Sequence, residues 1–173
     1  MADIREKAAK VKLVIFDVDG VLTDGKLFFD EEGREYKSFH SRDGLGLNLL
    51  RQTGVEVAVI SGRSSKSVSQ RMAGLGISHV FQGQHNKLLA FDSLREELGL
   101  EPEQIAHVGD DLIDLPLLRR VGLAVAVADA HPAILPFAHW ITDKPGGAGA
   151  AREVCDLIME AQGTLKGIVE NHF

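Results

Sequence analysis

Short apolar runs alternate along the chain with stretches whose apolar residues recur every three or four positions. Residues 11–16, 55–60, 79–81, 105–108 and 123–127 are dense in β-branched and other apolar side chains, with Gly, Asp or Ser at their ends. They predict buried strands. Between them the spacing predicts helices over about 45–52, 65–75, 87–98 and 112–121, and a last helix over 148–161. This alternation predicts an α/β fold, a Rossmann-like parallel sheet with helices on both faces. A single domain over residues 1–173 is expected for this length. One segment departs from the pattern: residues 26–29 and 36–39 flank Asp30-Glu31-Glu32-Gly33 and predict a projecting β-hairpin. Leu27 and Phe29 would share one face of it and Phe28 the other. A lone hairpin with apolar residues on both faces is marginal in water, so it should pack on its own domain or form an assembly surface. Pro145-Gly146-Gly147 marks a loop, and residues 163–173 form a tail with no clear pattern.

The composition is that of an ordinary soluble globular protein, 45% hydrophobic and 25% charged. With 19 basic against 25 acidic residues the net charge is -6, which argues against nucleic acid or an anionic membrane as the main partner. A small anionic substrate is still compatible, because a site needs only a few local cations. Cys155 is the only cysteine, so no internal disulfide can form and a reducing compartment is the simplest setting. It lies among Val154, Leu157 and Ile158 and reads as a small buried hydrophobe rather than a nucleophile. The first ten residues are charged and lack the apolar stretch of a signal peptide, and no apolar run reaches membrane-spanning length. A cytoplasmic location is the expectation.

Four polar clusters fall at the ends of four predicted strands. Asp17-Val18-Asp19-Gly20 follows the first. Residues i and i+2 of an extended chain point the same way, so two carboxylates leave the strand side by side. Such a pair calls for a shared cation or proton, although an Asp-x-Asp-Gly stretch also serves as a plain turn. Ser61-Gly62-Arg63 follows the second strand; a hydroxyl and backbone N–H groups at a helix start suit a phosphate, or Ser61 simply caps the helix. Lys87 opens the helix after residues 79–81. A cation is mildly unfavourable in a first turn, which hints at a task such as neutralising phosphate. Gly109-Asp110-Asp111-Leu112-Ile113-Asp114 places three acids at a strand-to-helix junction, which suits magnesium. Helix capping accounts for Asp111 and Asp114 equally well, and for Asp110 less well.

In this order the four clusters resemble the motifs of the haloacid dehalogenase superfamily of phosphatases, over roughly residues 11 to 115. The resemblance implies Asp17 as nucleophile and Asp19 as general acid/base. It implies Asp17, Asp19 and Asp110 around Mg2+, with Asp111 and Asp114 in support, and Ser61, Gly62 and Lys87 on the phosphate. The stretches from Asp19 to Ser61 and from Ser61 to Lys87 have no room for a cap domain, so a neighbouring subunit should close the site. VDGVLTDGKLFF, FHSRDGLG, FQGQHNKL, VGDDLIDLP and PGGAGAAREV together resemble the branch that hydrolyses 3-deoxy-D-manno-octulosonate 8-phosphate in lipopolysaccharide precursor synthesis. That branch is uncapped and homotetrameric, with the hairpins gathered at the centre of the assembly. The matched positions imply substrate contacts from the loop Ser41-Arg42-Asp43-Gly44 and from Arg63 and Arg71, with Asp19 and Lys87 also facing the substrate. Arginine suits the sugar acid's carboxylate through its planar fork. The plainer alternatives are that Asp43 caps its helix and that Arg71 is a solvated helix residue.

A sibling branch acts on nine-carbon sialic-acid-type phosphates; an acidic residue often follows its Ser-Gly or Thr-Gly, where this chain has Arg63. Two further classes use related parts. A phosphoacceptor receiver would carry its Asp after a middle strand, where Ser61 stands here. A non-catalytic sugar-phosphate binding module would not require both Asp17 and Asp19.

Overall fold

The computed structural model describes residues 2–170. Eight strands and seven α-helices occur among them. The main sheet holds β1 (Leu13–Phe16), β4 (Glu56–Ile60), β5 (His79–Phe81), β6 (Ile105–Gly109), β7 (Leu123–Ala126) and β8 (Trp140–Ile141), in the spatial order β5-β4-β1-β6-β7-β8. All five pairings are parallel, as predicted. Every residue of β1, β6 and β7 is buried, which requires cover on both faces. The helices α1 (Ala2–Ala9), α2 (Ser41–Gln52) and α6 (Ala150–Ala161) supply one cluster of cover, and α4 (Lys87–Leu98) with α5 (Leu115–Leu118) another. Helix α3 (Lys66–Gly74) joins β4 to β5, and α7 (Leu165–Glu170) follows α6.

Several elements differ from expectation. Helix α1 was not predicted from its charged sequence; Ile4 and Ala8, four residues apart, turn into the core while the charges face out. The segment Ser41-Arg42-Asp43-Gly44 is the first turn of α2 rather than a loop, because the His40 side chain caps it by accepting the Arg42 N–H at 3.3 Å. The helix predicted over 112–121 is a 3₁₀ turn, Leu112–Asp114, followed by the four residues of α5, with Pro116 at their start. The short β8 and a 3₁₀ segment, Pro132–Phe137, lie beyond the predicted elements. Part of the expected tail is α7, and residues 171–173 lie outside the described residues.

The hairpin is present but shorter than predicted, β2 (Phe28–Phe29) against β3 (Glu35–Tyr36). Asp30 organises its turn, accepting the N–H groups of Glu32 and Arg34 at 2.9 Å and the Arg34 Nε–H at 2.6 Å. Leu27, Phe28, Phe29 and Tyr36 are exposed, and Phe39 at the base packs against the core.

Candidate active site

The carboxyl ends of β1, β4 and β6, three neighbours in the sheet, meet at one place. Asp17 follows β1 directly, and its N–H donates to the Val108 carbonyl of β6 at 3.0 Å. Its side chain is buried, as is Lys87, which is only 1% exposed. Asn86 caps α4 by accepting the Leu88 N–H at 3.2 Å, which turns Lys87 inward. The Lys87 ammonium donates to Asp17 Oδ1 and to Asp114 Oδ1, both at 2.7 Å.

Asp114 is wholly buried and fully engaged. Besides Lys87 it meets His107 Nε2 at 2.9 Å, and its Oδ2 accepts the N–H groups of Asp110 at 3.0 Å and Asp111 at 3.4 Å. The other His107 nitrogen faces the Ile15 carbonyl at 3.1 Å, so strand β1 and the Asp110–Asp114 turn are tied through one ring. Asp111 is exposed and caps the 3₁₀ turn, accepting the Leu112 N–H at 2.7 Å.

Asp17, Asp110 and Asp114 bring carboxylate oxygens within 4.8 Å of one another. Burial and the charges of Asp17, Asp114 and Asp111 push the Asp110 carboxyl up to about 8, against the pull of Lys87. Burial likewise raises Asp17, despite Lys87. Burial would raise Asp114 too, but the hydrogen bond and charge of His107, then Lys87, hold it well below the usual carboxylate range. Three crowded carboxylates, one of them with its proton affinity raised by burial and by its acidic neighbours, present the all-oxygen donor set that a hard divalent cation fits. Gly20, at φ 90°, lies so close to Asp110 that a Cβ there would collide with the carboxylate.

Asp19 stands beside this cluster: its carboxylate meets the Lys37 ammonium, with Arg63 Nε at 3.7 Å. Arg63 also donates to Glu35 Oε2 at 2.6 Å. Ser61, at the end of β4, is buried; its N–H donates to the Phe81 carbonyl at 2.9 Å and its Oγ accepts the Arg63 N–H at 3.3 Å. Gly62 follows it into the turn before α3.

The remaining predicted contacts sit around α2. Asp43 is buried and accepts the Arg152 N–H at 2.8 Å, serving the first turn of α6 rather than its own helix. Arg71, from α3, lies against Gly44, where a Cβ would have to push the end of the arginine side chain aside. Ser41 and Arg42 are exposed. Together with Leu22, Phe39, His40 and Leu47, three of these residues (Asp43, Gly44 and Arg71) line a small crevice of about 10 Å³.

Sequence reasoning missed His107, Lys37 and Glu35. The signal for His107 was an imidazole in an otherwise apolar strand; Lys37 and Glu35 stand in a hairpin with nothing to mark them as partners of Asp19. The Pro145-Gly146-Gly147 loop also has a task, since the Gly147 N–H donates to the Val21 carbonyl at 2.9 Å and a Cβ on Gly146 would strike the Gly20 backbone.

The strand order and these strand-end clusters describe a haloacid dehalogenase-like hydrolase, and the model of that family matches residues 74–154. The chain is 52% identical over 164 residues to the 3-deoxy-D-manno-octulosonate 8-phosphate phosphatase of Escherichia coli strain K12, covering 95% of this chain and 87% of that one. The crystal structure of the Yersinia pestis phosphatase of that name superposes with a TM-score of 0.94 at 50% identity, over 95% of this chain and 89% of that one. That of the Moraxella catarrhalis phosphatase, in complex with magnesium, phosphate and 3-deoxy-D-manno-octulosonate, gives a TM-score of 0.97 at 43% identity, over 100% and 99% of the two chains. The chain belongs to the 3-deoxy-D-manno-octulosonate 8-phosphate phosphatase family.

Proposed function

We propose that this chain hydrolyses 3-deoxy-D-manno-octulosonate 8-phosphate to the free sugar acid and inorganic phosphate, through an acyl phosphate on Asp17. The observation that carries the reading is the buried Asp17–Lys87–Asp114 constellation beside Asp110, at the carboxyl ends of adjacent parallel strands. Its support in specificity is the likeness to the Moraxella catarrhalis enzyme with sugar acid and phosphate bound.

Asp17 Oδ attacks phosphorus, the new acyl–phosphate bond forms, and the bond from phosphorus to the sugar oxygen breaks. Asp19 enters this step in its acid form and gives its proton to the departing oxygen, becoming a carboxylate. It then takes a proton from the water that attacks the acyl phosphate, which restores the Asp17 carboxylate and releases phosphate. Lys87 neutralises phosphate charge that would repel Asp17, and the Ser61 hydroxyl and Gly62 N–H hold phosphate oxygens. Asp17, Asp19 and Asp110 would hold Mg2+, which when bound screens the phosphate's negative charge. Asp114, with Asp111 capping the turn, fixes Asp110 and Lys87 in place. Ser41, Arg42, Asp43, Gly44, Arg63 and Arg71 are the proposed substrate contacts, with Arg63 on the carboxylate. The exposed hairpin would build a homotetramer, and a cytoplasmic location fits a chain in which no described helix is long and apolar enough to cross a membrane.

The test is phosphate release from the eight-carbon ester and from a nine-carbon sialic-acid 9-phosphate, with magnesium and with chelator. Magnesium-dependent turnover that favours the eight-carbon ester and vanishes in Asp17→Asn is expected. Turnover surviving in Asp17→Asn would remove the nucleophile assignment, and preference for the nine-carbon ester would move the chain to the sibling substrate.

A further inference from the structure

The second arm of the hairpin buries a charge. Lys37 has a side chain only 1% exposed, on a segment whose neighbours Tyr36 and Phe29 face solvent. Lysine does not leave water without partners. The ammonium meets Asp19 Oδ1 and Glu35 Oε1, the latter at 2.6 Å. Glu35 Oε2 accepts from Arg63 at 2.6 Å, and Arg63 Nε reaches the other Asp19 oxygen at 3.7 Å. The four groups close a ring of two cations and two carboxylates. One member follows β1, one follows β4 and two come from the hairpin. The hairpin contributes no aromatic side chain to the core beyond Phe39, so this ring is its polar attachment to the site.

We infer that Lys37 is a positioning residue, which with Glu35 aims the Asp19 carboxylate at the leaving oxygen of the substrate and makes the hairpin part of the catalytic frame. The inference rests on the reading of Asp19 as the group that moves the proton. Each Asp19 oxygen has a cation beside it, and the one on Oδ1 is buried and fixed by a second carboxylate.

The experiment compares two esters. Departure of a sugar alkoxide needs a delivered proton, whereas 4-nitrophenolate leaves without one. Hydrolysis of the acyl phosphate needs Asp19 for both. In Lys37→Met, kcat for the eight-carbon sugar phosphate should fall on the order of 10²-fold while KM changes little. With 4-nitrophenyl phosphate the first step should stay fast and the second slow, giving a stoichiometric burst of nitrophenolate absent from the unaltered enzyme. Lys37→Arg, which keeps a cation between the two carboxylates, should recover part of kcat. Lys26→Met, at an exposed lysine of the same hairpin paired with Asp24, is the control and should match the unaltered protein. Unchanged kcat in Lys37→Met would overturn the inference. So would equal losses on both esters without a burst, accompanied by a lower melting temperature, since Lys37 would then be a structural tie alone. Full sugar-phosphate turnover in Asp19→Asn would remove the acid/base reading itself and the inference with it; the Asp17→Asn test is independent of both.

Discussion

Lys87 sits between two carboxylates where burial works against its charge, and Asp114 and Asp17 together outweigh that burial and raise its pKa. Removing one partner of a buried ion pair leaves an uncompensated charge, at about 3–5 kcal/mol. Lys87→Met is therefore expected to lose about 3 kcal/mol in a denaturant titration as well as phosphate affinity, because Asp17 and Asp114 would then face each other. Asp110 sets a pH dependence. Its carboxyl is pushed up to about 8 in the folded chain, against about 3.9 when unfolded. The folded state then binds a proton that the unfolded state releases, so the associated stability is present at low pH and is lost as pH rises through about 8. Asp17 shifts in the same direction, while the lowered Asp114 acts only in the acid range. In chelator the melting temperature should fall as pH rises from about 4 to about 8, and saturating magnesium should flatten that fall. An equally steep fall in Asp110→Asn would assign it to another group. His107 explains how much of this was legible. The acids announce themselves by spacing, but the ring that connects Asp114 to Ile15 becomes visible only when β6 lies beside β1.

At the scale of elements, α2 and α6 are joined by one carboxylate. Asp43 lies in the first turn of α2 and accepts the N–H of Arg152 in the first turn of α6, 109 residues away. Burial raises its pKa, the Arg152 hydrogen bond opposing. Asp43→Ala should cost about 1–2 kcal/mol in chemical denaturation, the usual price of a lost cap, while Asp43→Asn, which keeps an oxygen acceptor, should recover most of it. A change confined to KM for the sugar phosphate would assign Asp43 to the substrate instead. The strands were readable because each is a short buried run bounded by turn residues. Helix starts were less so: α2 begins at Ser41 because His40 caps it, and histidine is not a strong capping signal. The 112–121 helix broke early because the turn is shaped by the Asp111 and Asp114 side chains, a demand of the site that overrides helical spacing.

For the whole molecule, the exposed Leu27, Phe28, Phe29 and Tyr36 form an apolar knob that the described residues leave uncovered. Covering it contributes roughly 25 cal/mol per Å² before association costs. Light scattering at micromolar concentration should give a tetrameric mass, and Phe28→Asp or Phe29→Asp should lower the mass and the activity together without unfolding the chain. A monomeric mass with full activity would exclude the hairpin from assembly. The position of β1 has a consequence for synthesis. Leu13 pairs with Glu56 on one side and with Ile105 on the other. Until the ribosome has released residue 105 and its neighbours, the first strand has an open edge of apolar residues, and Asp17 has neither Lys87 nor Asp114 fully in place. Pairing strands this far apart in sequence slows folding. The nascent chain thus exposes its nucleophile well before Lys87 and Asp114 emerge to surround it, and a chaperone has that interval in which to hold the unpaired strand.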